Sequence, residues 1–272
     1  MSNCDSCASK DSCNGSCSKI EKEKLNELAS VKKVIGVMSG KGGVGKSSVT
    51  SMLAVAMSRM GYKVGILDAD ILGPSIPKMF GLKFGVKGTD SAIFPKETHN
   101  GIQVMSVNLL LENPEDPVVW RGSIVSGTVK QFWTDVIWDK LDVLFIDMPP
   151  GTGDVPLTVF QSIPVDGVVI VTSPQELVKD IVGKSYNMTK MMNIPVIGLA
   201  ENYSYVKCPD CNKEIYIFGQ GKTEEAAKEY GVPLLAKIPM DEKIARTADS
   251  GDMDKVDTSY VETLAKQIEG IL

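Results

Sequence analysis

The sequence has very little histidine and no long hydrophobic run, and each absence excludes a class of protein. Among its 272 residues the only histidine is His99, which excludes any metal site built from several histidines. No apolar run approaches the roughly 20 residues that a membrane-spanning helix needs. The first 17 residues lack the apolar segment of a secretory signal. We therefore expect a cytoplasmic protein with no membrane partner.

The sequence also lacks a large excess of charge of either sign. Its 29 basic and 34 acidic residues give a net charge of −5, so no nucleic-acid partner is expected. Hydrophobic residues make up 43% and charged residues 23%, which excludes a disordered or collagen-like chain. Six cysteines in a chain without an export signal indicate a reducing compartment, where thiols act as metal ligands rather than in disulfides.

Short, nearly continuous apolar runs recur along the chain after residue 30. Such runs predict strands covered on both faces, as in a parallel sheet, and they lie at 34–38, 64–67, 143–146, 168–171, 196–199 and 234–238. Apolar residues at helical spacing separate them, at 49–60, 125–136 and 177–192. This alternation predicts an α/β fold, a doubly wound and mostly parallel sheet flanked by helices. The weaker stretch 84–100 is predicted to be irregular or an edge hairpin.

The loop after the first predicted strand has the pattern G-x-x-x-x-G-K-[ST], followed by a helix. In such a P-loop the backbone N–H groups bind phosphate oxygens at the positive end of a helix dipole. Lys46 would contact the β and γ phosphates, and the Ser47 hydroxyl is a ligand for Mg²⁺. The motif therefore predicts ATP binding and hydrolysis with Mg²⁺, through Gly40, Lys41, Gly42, Gly43, Val44, Gly45, Lys46, Ser47 and Ser48.

Acidic residues follow the next two of these predicted strands. Asp70, in Asp-Ala-Asp at 68–70, is either a helix N-cap or a group that orients the attacking water or the Mg²⁺ shell. Asp147 directly follows an apolar strand, which is the Walker B position for the magnesium acid. Pro-Pro-Gly-Thr-Gly at 149–153 suits a loop that senses the γ-phosphate. Lys41 is either a solvated lysine or one that reaches a nucleotide held by a partner subunit.

The cysteines form two groups. Cys208 and Cys211 make a C-x-x-C, which is half of a tetrahedral site for zinc or an iron–sulfur cluster. The other half comes from the tail of the same chain or from the same residues of a second copy. A redox role is disfavoured because redox motifs open a helix, whereas a strand is predicted here. The tail offers thiolates for a possible second cluster, unless they are idle, at Cys4, Cys7, Cys13 and Cys17.

These features divide the chain into three predicted parts. Residues 1–19 form a cysteine-rich tail that is too polar to bury a core of its own. Residues 20–30, with the sequence Glu-Lys-Glu-Lys-Leu-Asn-Glu-Leu, are predicted to form a short linker helix. Residues 31–272 form the P-loop ATPase domain, which carries the Cys-Pro-x-Cys motif.

The motifs together resemble the Mrp/Nbp35 family of deviant-Walker P-loop ATPases, which carry or assemble iron–sulfur clusters. The resemblance runs from about residue 34 to the C-terminus and includes Trp-Arg-Gly at 120–122 and Glu-Asn-Tyr-Ser-Tyr at 201–205. It implies a homodimer in which Cys208 and Cys211 of two subunits share one [4Fe–4S] cluster for transfer to apo iron–sulfur proteins.

The resemblance also implies roles for residues around the nucleotide. Asn202 would contact the adenine, and Asp147 with Ser47 would hold Mg²⁺. Lys46, the switch I acid Asp70 and Lys41, acting across the dimer, would be catalytic. In the tail, Cys4, Cys7 and Cys13 match the family's C-x₂-C-x₅-C group, whose additional upstream cysteine has no counterpart here, and Cys17 is the candidate replacement.

Two other functions share this fold. A targeting ATPase or chaperone with zinc between paired C-x-x-C motifs would need a Met-rich helical insertion, for which the sequence has no room. A positioning ATPase of the ParA/MinD type would need a basic patch or a basic amphipathic C-terminal helix. The last segment has the apolar stripe Val261, Leu264 and Ile268, but its polar face mixes both charges, so the stripe is better explained by core packing.

Overall fold

The computed structural model describes residues 21–89, 92–111, 122–174 and 178–272, and an eight-stranded sheet lies at its centre. The strand order is β12-β9-β8-β1-β7-β2-β6-β5, and every neighbouring pair is parallel except β5 and β6. The strands are β1 (Val31–Met38), β2 (Val64–Asp68), β5 (Lys96–Glu97), β6 (Gln103–Met105), β7 (Leu141–Asp147), β8 (Gly167–Thr172), β9 (Val196–Glu201) and β12 (Leu234–Lys237).

Helices cover both faces of this sheet, so its strands are apolar on both sides. In β1, Ile35 faces the core under the first and last helices, while Val34 faces the opposite core. The described helices are α1 (Lys46–Arg59), α2 (Ile76–Met79), α3 (Gly122–Thr134), α4 (Asp154–Ser162), α5 (Val178–Met191), α6 (Lys222–Tyr230), α7 (Glu242–Asp249) and α8 (Glu262–Glu269). α1 and α8 pack on one face, and α3, α4, α5 and α6 on the other. The predicted doubly wound fold is confirmed.

Two short antiparallel pairs stand outside the main sheet. β3 (Lys87–Thr89) pairs with β4 (Ala92–Phe94), and β10 (Val206–Lys207) pairs with β11 (Glu214–Ile215). The first pair lies within residues 84–100, where an irregular stretch or an edge hairpin was predicted. A hairpin pairing is present there, but as a separate sheet, and the edge strand of the main sheet is β5, which pairs with β6. The second pair carries Cys208 and Cys211 in its connecting loop.

The predicted linker helix is wrong, because residues 21–30 contain a turn and no helix. The Asn26 side chain accepts a hydrogen bond from the Leu28 N–H at 3.0 Å, which favours a turn over a helix. The Glu23 N–H donates to the Ser162 carbonyl at 2.8 Å, and the Trp133 indole donates to the Glu23 carbonyl at 3.0 Å. A ten-residue helix is marginal alone, and here the body supplies the backbone partners instead.

Several polar residues lie at the carboxyl ends of the central strands, on one edge of the sheet. Asp68 is the last residue of β2, Asp147 the last of β7, and the two are paired in register across those strands. The loop after β1 leads into α1 at the same edge. Ligands of open α/β sheets bind at this edge, so the fold itself indicates where the site lies. Among the helices that the structure describes, none has both the length and the apolar character needed to cross a membrane.

Candidate functional site

Residues 40–47 fold into a tight loop between β1 and α1, and two glycines make that loop possible. Gly43 and Gly45 have φ values of 77° and 75°, a left-handed conformation that a side chain disfavours. At Gly45 a Cβ atom would also lie 2.1 Å from the Asn202 Nδ2 atom. Helix α1 begins at Lys46, so its first N–H groups point into the loop, where an anion binds favourably.

The loop forms one wall of an open cleft of about 330 Å³. The rest of the lining comes from the segment after β2, from Pro150 in the loop after β7 and from Tyr203 after β9. The lining residues are Ser39, Lys41, Gly42, Gly43, Val44, Gly45, Lys46, Ser47, Ser48, Asp70, Ser75, Met79, Pro150 and Tyr203. The structure therefore brings most of the predicted nucleotide residues together with Asp70 in one cleft.

Asp147 is fully buried beside the P-loop, and both of its carboxylate oxygens accept contacts from α1. The Lys46 Nζ lies 2.8 Å from Oδ1, and the Ser47 hydroxyl donates to Oδ2 at 2.6 Å. The Thr50 hydroxyl is 2.7 Å from Oδ1. A buried carboxylate is stable only with such partners, so these contacts fix the acid at the cleft.

Asp68 is a second fully buried acid next to Asp147. Burial, and secondarily the charge of Asp147, raises the pKa of Asp68 to about 8. Its Oδ2 atom accepts a hydrogen bond from the Ser106 hydroxyl at 3.1 Å, and its Oδ1 atom accepts one from the Asp70 N–H at 3.2 Å. Burial also raises the pKa of Asp70, which lines the cleft. Asp68 therefore anchors the segment that presents Asp70.

The loop after β7 is attached to the P-loop through backbone contacts. The Gly151 N–H donates to the Ser39 carbonyl at 2.7 Å, and the Ser39 hydroxyl donates to the Lys41 carbonyl at 2.9 Å. Ser39 is therefore in contact with both loops. This arrangement suits the predicted sensing of a γ-phosphate by residues 149–153.

Asn202 lies beneath the P-loop. Its buried side chain donates through Nδ2 to the Val44 carbonyl at 2.9 Å, and its backbone N–H donates to the Thr172 carbonyl at 2.8 Å. The neighbouring Tyr203, at a φ of 58°, lines the cleft. Contact of Asn202 with adenine stays a prediction, whereas its contact with the loop is direct.

Cys208 and Cys211 lie at the tip of the β10–β11 hairpin. The Cys208 N–H donates to the Lys213 carbonyl and the Asn212 N–H donates to the Cys208 carbonyl, both at 2.9 Å, closing a turn around Cys208. Hydrogen bonds from the backbone N–H groups of Cys211 and Asp210 lower the pKa of the Cys208 thiol. Stabilised thiolates are the form that binds metal. The motif is followed, as predicted, by a strand rather than a helix, the two-residue strand β11.

The hairpin brings two free thiols of this chain, Cys208 and Cys211, into one loop. Within the described ranges, no group of three or more His, Cys, Asp or Glu side chains is placed to hold a metal ion. Cys4, Cys7, Cys13 and Cys17 lie outside the described residues, so a cluster in the tail stays a prediction.

Residues 30–272 match a family model described as ParA: NUBPL iron-transfer P-loop NTPase. The chain belongs to this family. This NTPase is 50% identical over 253 residues to the iron-sulfur cluster carrier protein of Methanocaldococcus jannaschii, covering 91% of this chain and 87% of that one. It is 42% identical over 269 residues to the protein of the same name from Clostridium perfringens, covering 94% of each.

Solved structures agree with this assignment. A nucleotide-binding protein from Archaeoglobus fulgidus, in complex with ADP, has 43% identity to this NTPase and a TM-score of 0.77, covering 85% of this chain and 91% of that chain. The cell division ATPase MinD of Pyrococcus furiosus has 21% identity and a TM-score of 0.60, covering 89% of this chain and all of that chain, which shows a shared fold alone. The family resemblance and the P-loop NTPase fold are both confirmed.

Sequence reasoning did not assign roles to several residues of the NTPase site. Asp68 carries a signal, because it ends β2 as Asp147 ends β7, but Asp70 was the acid assigned there. Thr50, Ser106 and Tyr203 carry none that we recognise, since each becomes part of the site only through contacts with distant segments.

Proposed function

We propose that this NTPase is an ATP-hydrolysing carrier of a [4Fe–4S] cluster, held between two copies of the chain and transferred to apo iron–sulfur proteins. The observation that carries the proposal is the hairpin with two thiol ligands, Cys208 and Cys211, which follows Asn202 by only six residues. Asn202 itself bonds to the P-loop. The names of the relatives, iron-sulfur cluster carrier proteins, support the same function.

The nucleotide half of the function uses groups that fit Mg²⁺ and ATP. The Ser47 hydroxyl and the Asp147 carboxylate are the hard oxygen ligands that Mg²⁺ prefers, and Mg²⁺ there would neutralise developing phosphate charge. Lys46, now paired with Asp147, would turn to the β and γ phosphates. Asp70, facing the cleft, would orient the attacking water. Lys41 would act on the nucleotide of the partner subunit.

The cargo half of the function is incomplete in one chain. A [4Fe–4S] cluster takes four cysteine ligands, and the hairpin offers two, so a second copy of the chain would supply the others. The lowered pKa of Cys208 favours the thiolate that ligates iron. Cys211 is exposed, so the pair is accessible to the partner subunit and to a recipient.

One segment provides the connection between the two halves. Asn202 bonds to Val44 in the P-loop, and Tyr203 packs beside Gly45. The next residue, Ser204, donates through its backbone N–H to the Ile238 carbonyl at 2.9 Å and leads directly into β10 and Cys208. A shift of the loop on binding ATP would therefore reach the cysteine hairpin through a short stretch of chain that is buried at Asn202, Ser204 and Tyr205.

Anaerobic reconstitution with iron and sulfide tests this function. We expect brown protein, one cluster per two chains, and loss of that cluster in Cys211→Ser, which should still bind ATP. A chain lacking residues 1–18 is the matched control and should keep the same stoichiometry at the hairpin. A colourless protein that binds zinc instead would support the zinc-bridged targeting ATPase. If deletion of the tail removes the cluster from the hairpin while the protein stays dimeric, the ligands come from one chain.

A further inference from the structure

Thr50 is the fourth residue after Lys46 on α1, so the two side chains lie on the same face of the helix. Its side chain is fully buried. The Thr50 hydroxyl lies 2.7 Å from Asp147 Oδ1 and 3.0 Å from the Lys46 carbonyl. A hydroxyl has one hydrogen, and the shorter contact to a charged acceptor is the stronger of the two. The hydroxyl is therefore primarily a donor to Asp147.

The other two donors to Asp147, Lys46 and Ser47, have a further role when nucleotide binds. Lys46 is needed at the phosphates, and the Ser47 oxygen is needed as a magnesium ligand. The contact from Lys46 to Oδ1 must then weaken or rearrange, whereas the Ser47 hydroxyl can still donate its hydrogen to Oδ2 while its oxygen binds the metal. Thr50 sits one helical turn deeper, with its backbone inside α1, and has no such competing task. Its contact can persist in both the empty and the loaded states.

We propose that Thr50 is a positioning residue for magnesium, which holds Asp147 Oδ1 so that Oδ2 faces Ser47 and the cleft. The inference rests on the proposed nucleotide function of the site. Groups that orient a metal ligand raise metal affinity because the ligand does not have to be ordered when the metal arrives. A carboxylate without this donor would also be left with a poorly satisfied buried oxygen once Lys46 departs.

The chain contains a matched control for the ordinary role of a helical threonine. The Thr128 hydroxyl in α3 donates to the Ile124 carbonyl at 3.0 Å, the same distance as from Thr50 to the Lys46 carbonyl. Thr128 is also buried. Thr50→Val and Thr128→Val each remove a helix-bonded hydroxyl at nearly constant volume, but only Thr50→Val removes a donor to Asp147. Thr50→Ser keeps that donor.

The measurement is binding of a fluorescent ATP analogue to the full chain as Mg²⁺ is titrated, and again in a chelator. We expect Thr50→Val to raise the Mg²⁺ concentration for half-saturation about 10-fold, with unchanged affinity for the metal-free nucleotide. Thr50→Ser and Thr128→Val should match the wild type. Thermal unfolding of each variant reports the cost to the fold separately.

Three outcomes would overturn the positioning role. One is that Thr50→Val needs the same Mg²⁺ concentration for half-saturation as the wild type. Another is an equal shift in Thr50→Val and Thr50→Ser, which would point to the packing of the side chain rather than to its hydroxyl. The third is an equal loss of affinity with and without Mg²⁺, which would mean that the P-loop itself is disturbed. If the nucleotide affinity of the wild type does not depend on Mg²⁺, both the magnesium site and the role of Thr50 are overturned.

Discussion

The nucleotide cleft and the cysteine hairpin are built in opposite ways. In the cleft, the buried carboxylates of Asp147 and Asp68 have hydrogen-bond or ion-pair partners from this same chain. In the hairpin, each strand is two residues long and Cys211 is exposed. The hairpin contains two thiols of this chain that could bind a metal. The cleft is thus organised before its ligand arrives. Under the proposed function, the hairpin would need a cluster and a second chain to complete its site.

This difference has a physical reason. A buried charge or polar group without partners is costly, so the carboxyl groups at the ends of β2 and β7 must be satisfied within the fold. An exposed thiol has no such requirement, because water and exchangeable partners reach it. A site that must release its cargo gains from that accessibility. The following experiments test this contrast, from the largest expected effect to the smallest.

The strongest test removes the lysine assigned to the partner's nucleotide. Lys41→Ala should keep nucleotide affinity nearly unchanged but lower ATP turnover by about 1,000-fold, because charge stabilisation supplied across an interface acts on the transition state. Steady-state phosphate release and fluorescent-nucleotide binding measure the two quantities. Reduced binding without a specific loss of turnover would make Lys41 an ordinary phosphate contact.

Mixed dimers sharpen this test. A Lys41→Ala chain paired with an Asp70→Ala chain contains one intact site if Lys41 acts across the interface, and none if it acts within its own chain. Recovery of turnover on mixing, with heterodimer formation verified by tagged purification, is the expected result. No recovery in verified heterodimers would contradict action across the interface.

The second test separates the cleft from the hairpin. Lys46→Ala should weaken ATP binding by about 100-fold or more, because it removes charge-assisted contacts to two phosphates. It also leaves buried Asp147 without its cation, so a lower unfolding temperature is expected. Fluorescent-nucleotide titration and thermal unfolding measure these effects. Cluster content at the hairpin should stay normal, and a loss of cluster would show that the two regions do not form independently.

The third test asks whether the two regions communicate. ATP and cluster should have a coupling free energy of about 1–3 kcal/mol, each changing the affinity for the other equally. Loss of cluster to a chelator is measured with ATP, with ADP and without nucleotide. Asn202→Ala should abolish the differences, because it removes the bond to Val44. Asn100→Ala, which removes an exposed amide contact to the Asp254 carbonyl, is the control. Identical lability in all states of the wild type would make the sites independent.

A final test, which measures stability rather than binding or turnover, concerns Asp68 and pH. Its pKa is raised in the folded state, so the folded chain binds the extra proton, and stability falls as pH rises between the ordinary aspartate value of 3.8 and about 8. Each pH unit in that window costs at most about 1.4 kcal/mol. Asp68→Asn should remove the part of this decrease in the free energy of unfolding that comes from Asp68. Urea unfolding from pH 5 to pH 8 measures the decrease.

Asp142 provides a control of the opposite sign. A hydrogen bond from Lys32, together with the Lys63 N–H, lowers the pKa of Asp142, so its contribution to stability is present at neutral pH and lost towards acid. Asp142→Asn should therefore leave the fall between pH 5 and pH 8 in place. An unchanged pH profile in Asp68→Asn would mean that Asp68 is ionised in the folded protein.

Much of the fold could be predicted because its signals are local. Runs of apolar residues predicted β1, β2, β7, β8, β9 and β12. The glycine pattern predicted the P-loop, because the left-handed φ values at Gly43 and Gly45 favour glycine at these positions. The prediction of a linker helix was wrong because the interactions that decide its conformation are not local. Its helix-forming residues are local, but the partners that hold Glu23 and Ser30 come from distant residues.

By itself, the sequence determined the class of the fold, the phosphate loop and the pair of cysteines, because each is encoded by residues close together in the chain. Only the tertiary structure decided what surrounds them. Thr50 and Asp147 are 97 residues apart, and Asn202 and Val44 are 158 apart. Such pairs meet because parallel strands bring their carboxyl ends to one edge, a consequence of packing that no local pattern records.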